Sequence, residues 1–488
     1  MHAEPEIRTA TGVLRGRWED EVAVFRGIPY AQPPFGERRF AAPVAVPPWD
    51  GVRAALEFGP AVPQSGAMPM GDDCLTLNVW SPDLGAAGLP VLVWVHGGAY
   101  LEGSTRNPHY DGVILARSGV VLVSVNYRTG FEGWAHLAGA PDNRGLLDQS
   151  AALRWVQDNI AVFGGDPGNV TVCGQSAGAG SVAALLSMPT SAGLFRRAIA
   201  QSVPSTFFST GLAEAVSTTI AAELGVRATA PELAGISPLA LVKATDSIIQ
   251  TMPDFVDAWG PMALTPTPFS PVVDGDVLPQ APWRALADGA TRGVDLLVGH
   301  TRDEYRLMNT RRNDEITDQE VDVTLERLAP ASDYRAAYPE YTSAQLYELV
   351  NADWLFRMPS LHLADAKHAG GGQVWNYELL WSFNRDQGAS HCLDFLLVFG
   401  TLSLDDIRNH PSAHPDAVEE YLRLSHQIRT EWIDFVTTGD PGWTPYDPDT
   451  RPTRVYTADP ITQPYPEERS RGLWHQHQFG TSDLRRAP

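Results

Sequence analysis

The chain has 488 residues, 43% hydrophobic and 19% charged, a composition that can bury a large core. Its formal charge of −22 at pH 7 repels phosphate backbones, so nucleic acid is not an expected partner. No run approaches the ~20 apolar residues of a membrane span, and the opening MHAEPEIRTATG lacks both a basic start and an apolar run, so a soluble, cytoplasmic protein without a membrane partner is expected.

Length alone suggests two or three domains, but large α/β enzymes often run as one, and a single domain over 1–488 is the working expectation. Cys74, Cys173 and Cys392 are odd in number and widely spaced, which predicts free thiols rather than a disulfide framework.

In chain order, the front half alternates short β-branched runs with helical patterns, which predicts βαβ units and a mostly parallel sheet. Leu89 to Gly98, Gly119 to Tyr127 and Asn169 to Gly174 read as buried strands. Between the last two, Leu147, Ala151, Trp155 and Ile160 recur at near-helical spacing before Gly164 and Gly165, which predicts a crossover helix. Roughly 205–270 and 305–365 are richer in helix formers, proline and scattered aromatics, and read as insertions built over the sheet. Gly293 to His300 and Gly372 to Leu380 read as further strands, each followed by a polar loop. A last helix, Asp416 to Thr438, is expected to bury Val418, Leu422, Ile428, Trp432 and Phe435 on one stripe against the sheet.

The stretch Gly174-Gln175-Ser176-Ala177-Gly178 fits G-x-S-x-G, with a strand before it and a helix pattern after it. A sharp strand-to-helix turn strains the backbone and crowds its neighbours, so glycine and alanine must flank the serine. The hydroxyl is then presented rather than packed.

A serine at neutral pH is a weak nucleophile and needs a base within reach and an acid to orient that base. For a serine on such a turn the chain order is serine, acid, histidine. Asp303 and Glu304 follow the strand ending at His300, and His391 follows the strand ending at Leu380. His300 and His368 are rival bases and Asp303 and Asp274 rival acids, which spacing does not separate. Acyl chemistry also needs N–H donors for the oxyanion. His96 to Tyr100, HGGAY, follows a strand, and the amides of Gly98 and Ala99, with that of Ala177, are the candidate donors.

At these residues the sequence resembles the type-B carboxylesterase and cholinesterase family of α/β-hydrolases, most closely in style its bacterial carboxylesterases, including those that cleave p-nitrobenzyl esters. FRGIPYAQPPFGERRF (Phe25 to Phe40), DDCLTLNVW (Asp72 to Trp80), VWVHGGAY, NYR, the run from Gly145 to Ser181 and HCLDFLLVFG (His391 to Gly400) are similar to that family's signatures, in its order. The resemblance implies an α/β-hydrolase fold, a mixed, mostly parallel sheet flanked by helices with a gorge above the serine. It implies Ser176 as nucleophile, Glu304 as the acid, His391 as general base and acid, and Gly98, Ala99 and Ala177 as the oxyanion hole. Hydrolysis of small-molecule carboxylic esters is the implied activity, with no cofactor and no metal. A non-catalytic binding member of the same fold, or an amide or carbamate hydrolase, is the alternative.

The chain departs from the family at Gln175, where glutamate is usual, and at Tyr305, where glycine is usual. Cys74 matches a cysteine that is bridged in animal relatives, but no cysteine precedes it here. No tryptophan lies between Trp49 and Trp80 to offer the cation-binding face of cholinesterases, so choline esters are not the expected substrate. Trp134, Phe207, Phe208, Phe269, Phe356, Trp381 and Phe383 are candidates for the gorge wall.

Overall fold

A computed structural model describes residues 3–309, 315–330 and 333–485. Apolar runs from both halves of the chain pair into an eleven-stranded sheet. From one edge to the other its strands are Ile461–Pro464, Pro452–Tyr456, Val374–Leu379, Asp295–Thr301, Arg197–Gln201, Gly165–Gln175, Leu89–Val95, Val121–Val125, Thr76–Ser81, Val22–Pro29 and Arg17–Glu19. The seven from Pro452–Tyr456 to Val121–Val125 pair in parallel, while the strands at both ends are antiparallel. A sheet of this kind needs both faces covered, which is why its central strands read as unbroken Val, Leu and Ile rather than as an alternation.

Two apolar clusters cover the faces. One is built from residues such as Val93, Val172, Ala198 and Val298 with the helix Arg144–Asn159; the other from Leu92, Ile199 and Leu297 with the helix Ala417–Thr438. Neighbouring residues of one strand thus feed opposite cores.

Two helical stripes differ in phase from their expected patterns. In Arg144–Asn159 the buried apolar residues are Leu146, Ala152, Leu153, Trp155 and Val156, whereas Leu147 and Ala151 are half-buried. Spacing fixes the period of a helix but not which of two adjacent apolar residues, here Leu146 or Leu147, faces inward. In Ala417–Thr438 the inward face carries Tyr421, Leu424, Ile428, Trp432 and Phe435, while Leu422 is 52% exposed. Tyr421 takes the inward position and its hydroxyl accepts the N–H of Leu402 at 3.2 Å.

The segments over the sheet are largely helical. Thr210–Ala222, Ala230–Leu233, Pro238–Thr251 and Val256–Trp259 occupy the first. Asp318–Leu328, Tyr334–Ala337, Ser343–Ala352 and Met358–Ala369 occupy the second, of which 310–314 and 331–332 lie outside the described residues. Between Ser343–Ala352 and Met358–Ala369 the helix widens to a π turn over Asp353–Arg357. Among the described residues no helix is long and apolar enough to cross a membrane, and all three cysteines are free thiols.

Candidate active site

The carboxyl ends of the parallel strands form one edge, where open α/β sheets place their ligands. The register aligns Gln201 with both Gln175 and Gly299, and Thr301 with Leu379, so the loops that follow emerge side by side.

Ser176 follows Gln175 directly and precedes the helix Ala177–Leu185, with φ 58° and ψ −124°. That conformation is strained for a side-chain-bearing residue, and its neighbours show what holds it. A Cβ on Gly178 would stand 2.2 Å from the carbonyl oxygen of Val95, and one on Gly174 would stand 2.5 Å from the backbone of Gly178. Helix and strand approach so closely that only glycine fits, and the turn is fixed by packing on both sides. Ser176 N–H donates to the Gln201 carbonyl at 2.9 Å.

The loop after Leu89–Val95 has Gly98, Ala99 and Tyr100 all at positive φ (115°, 55° and 60°). A Cβ on Gly98 would lie 2.1 Å from the carbonyl oxygen of Glu102, because the turn folds back so that Leu101 and Glu102 donate to the Gly98 carbonyl at 2.9 and 3.1 Å. Among the described residues the N–H groups of Gly98, Ala99 and Ala177 have no acceptor.

His391 Nδ1 lies 2.5 Å from Glu304 Oε2. Glu304 is fully buried; its other oxygen accepts the Ser202 hydroxyl at 2.6 Å and the Thr301 N–H at 2.9 Å. Burial pushes this carboxyl up, but the His391 ring, the hydroxyl of Ser202 and the nearby His300 outweigh it, and the group is held below its ordinary range. Phe356, from the π turn, stacks on the His391 ring at 4.4 Å between centroids. His391 Nε2 is met at 3.1 Å by the side-chain nitrogen of Gln175.

The rival residues have other work. His300 is buried, with Nε2 3.1 Å from the Tyr465 hydroxyl and Nδ1 3.0 Å from its neighbour's carbonyl. His368 is exposed near the end of its helix. Asp274 accepts the N–H groups of Asp276 and Leu278 in a turn. Asp303 accepts the Ala389 N–H at 2.9 Å and pairs with Arg306 at 2.9 Å, so it ties the acid's loop to the histidine's. Gly388 serves that tie: a Cβ there would stand 2.2 Å from an Asp303 carboxylate oxygen.

Ser176, His391, Gly98, Ala99 and Ala177 line one cavity of about 460 Å³. Its apolar wall is Leu355, Phe356, Phe395, Leu396, Met308 and Pro204. Phe356 is the one gorge candidate on it. Trp134 packs instead on Tyr100, Phe207 on Trp283 and Phe269 on Phe131, all in the core; Phe208 is buried in a short strand. Trp381 is buried and donates to Glu420, and Phe383 packs against the second cluster. Sequence reasoning passed over Ser202, whose one signal is its place at the carboxyl end of the strand Arg197–Gln201, and the apolar wall apart from Phe356, whose other residues read as ordinary core.

The Carboxylesterase family model matches residues 3–465. The chain is 36% identical to the para-nitrobenzyl esterase of Bacillus subtilis, over 95% of this chain and 97% of that one, and 34% identical to the phenmedipham hydrolase of Pseudarthrobacter oxydans, over 90% and 91%. Among solved structures, the carboxylesterase EST55 of Geobacillus stearothermophilus superposes with a TM-score of 0.84 at 34% identity, covering 96% of this chain and 99% of that one. The sheet, its flanking helices and these likenesses together are those of the α/β-hydrolase fold, and the chain belongs to the carboxylesterase family, enzymes that hydrolyse carboxylic esters.

Proposed function

We propose that this esterase works through an acyl-enzyme formed on Ser176, with His391 as general base and acid, Glu304 as its orienting carboxylate, and the amides of Gly98, Ala99 and Ala177 as the oxyanion hole. The observation that carries the reading is the contact of His391 Nδ1 with a fully buried Glu304, in a cavity that Ser176 shares.

A small-molecule ester enters with its carbonyl carbon over Ser176. The Ser176 oxygen attacks as its proton passes to His391 Nε2, and the carbonyl π electrons move onto oxygen. Three amide donors meet that oxygen, and Glu304 stabilises the imidazolium. The C–O bond to the alcohol breaks as His391 returns the proton to it. Water then attacks the acyl-serine with the same histidine as base, the C–O bond to Ser176 breaks as His391 returns that proton to the serine oxygen, and the carboxylic acid leaves. The largely apolar wall favours neutral, hydrophobic ester arms over anionic ones. Three free thiols suit a reducing compartment, the cytoplasm, and the net charge of −22 argues against nucleic acid as a partner.

The test is hydrolysis of a p-nitrophenyl ester by the parent enzyme and by Ser176→Ala. The parent should turn over, and the variant should lose about 10⁴-fold or more in kcat with an unchanged circular dichroism spectrum. A folded variant with near-parental rates would sink the assignment.

A further inference from the structure

Glu467 lies just before the last helix, Glu468–Trp474, with its side chain largely buried. Each of its two oxygens meets a different arginine: Oε1 lies 2.9 Å from Arg302 Nη2, and Oε2 accepts from Arg357 Nη2 at 2.7 Å. Burial pushes this carboxyl up, but Arg357 and Arg302 outweigh it and hold it below its ordinary range, so it is charged at neutral pH.

The two arginines belong to the two segments that flank His391. Arg302 stands two residues before Glu304, whose carboxylate meets Nδ1 of the ring. Arg357 directly follows Phe356, whose ring lies on the imidazole face at 4.4 Å between centroids. On its cavity side the π turn has a support of its own: Pro359 has no N–H for the carbonyl of Leu355, which accepts that of Ser205 at 2.9 Å instead. On the far side the buried Arg357 meets Asp353 at 3.3 Å as well as Glu467. Arg302 is bound in the same way to the buried Glu378 besides Glu467. A row of alternating charges, Asp353, Arg357, Glu467, Arg302 and Glu378, thus runs from the π turn to the loop of Glu304.

We propose that Glu467 is a positioning residue: as the carboxylate shared by Arg302 and Arg357, it fixes the loop of Glu304 against the turn of Phe356 and so sets the seat of the His391 ring between them. The proposal rests on the reading of His391 as the base and Glu304 as its acid. A guanidinium offers its N–H groups in a fixed planar fork, so a carboxylate bound to two of them holds both at set distances and angles. Without Glu467 each arginine keeps a carboxylate of its own, Asp353 for Arg357 and Glu378 for Arg302, so the buried charges stay compensated. What is lost is the link between the two segments, and a misplacement of about 1 Å at a reacting group can cost about 100-fold in rate.

The test is steady-state hydrolysis of a p-nitrophenyl ester by the parent enzyme, Glu467→Ala, Phe356→Leu and the double variant, with circular dichroism to confirm folding. Glu467→Ala should lower kcat about 10-fold or more while KM stays within about twofold of the parent's. Phe356→Leu should lower kcat by itself but by much less in the Glu467→Ala background, where the ring is already released. Lost stability alone would not produce that coupling. Glu467→Gln, which keeps the shape but not the charge, should lose kcat in the same direction, and it carries the cycle if Glu467→Ala does not fold. Parental kcat in the folded variants, or losses at positions 467 and 356 that multiply in full, would overturn the proposal. These comparisons hold whichever residue is the nucleophile, so their failure is distinct from a failure of the Ser176→Ala assay.

Discussion

Ser202 shows how a residue with no motif can govern a site. Its hydroxyl and the Thr301 N–H both donate to one oxygen of the buried Glu304, and after the His391 ring that hydroxyl does most to keep the carboxyl charged. Hydrogen bonds to a charged group are worth about 1.5–3 kcal/mol, so Ser202→Ala should lower kcat about 10- to 100-fold with little change in KM; steady-state kinetics checks this. Glu304 is held below its ordinary value, so its contribution to stability is present above the unfolded carboxylate range and is lost as pH falls through its folded value. The turn at Ser176 is legible because a serine turn dictates its flanking glycines, whereas chain order leaves His391 open beside His300 and His368. Spacing left Asp303 open beside Glu304, and the resemblance chose; in the structure Glu304 meets His391 while Asp303 binds the neighbouring loop.

At the scale of elements, the turn at Ser176 is made by the close approach of Ala177–Leu185 to Leu89–Val95. Gly178→Ala would force a Cβ to 2.2 Å from the Val95 carbonyl oxygen. The helix must shift, at a cost of about 1–3 kcal/mol, and the Ser176 hydroxyl shifts with it. The expected result is a lower urea midpoint together with a fall in kcat, from denaturation curves and kinetics on one preparation. The five strands legible in the sequence end within a few residues of their observed bounds because continuous β-branched runs bounded by glycine have few other uses, while the other six strands of the sheet carry no such signal. The helix stripes were less legible: Leu146 and Leu147 are equal in hydrophobicity, and Tyr421 displaces Leu422 from the core because its ring buries while its hydroxyl finds a partner. The cavity wall drew on the π turn at Asp353–Arg357, which no residue pattern announces.

Across the whole molecule, the sheet gathers loops from five strands at one edge, and charges buried there make stability depend on pH. Asp394, fully buried, has its carboxyl pushed up to about 6, by burial first and by the Glu304 charge, against the opposing Tyr377 hydroxyl at 2.6 Å. A group raised on folding stabilises most below its unfolded value, and that contribution is lost as pH rises from about 4 through about 6. Asp394→Asn removes this titration, so its stability relative to the parent should improve by about 2 kcal/mol between pH 4 and pH 7, measured by urea unfolding. The α/β class was legible from the alternation of strands and helices. The assignment of aromatics to core or cavity was not, since Trp134, Phe207 and Phe269 differ from Phe356 in their neighbours rather than in their chemistry.

Ser176 as the acyl-forming nucleophile is tested by intact-protein mass spectrometry after a fluorophosphonate probe, with peptide mapping and a parallel ester assay. A single adduct is expected on the peptide carrying Ser176, formed in step with loss of hydrolysis. Hydrolysis that survives full labelling, or an adduct at another residue that accounts for the lost activity, would contradict it.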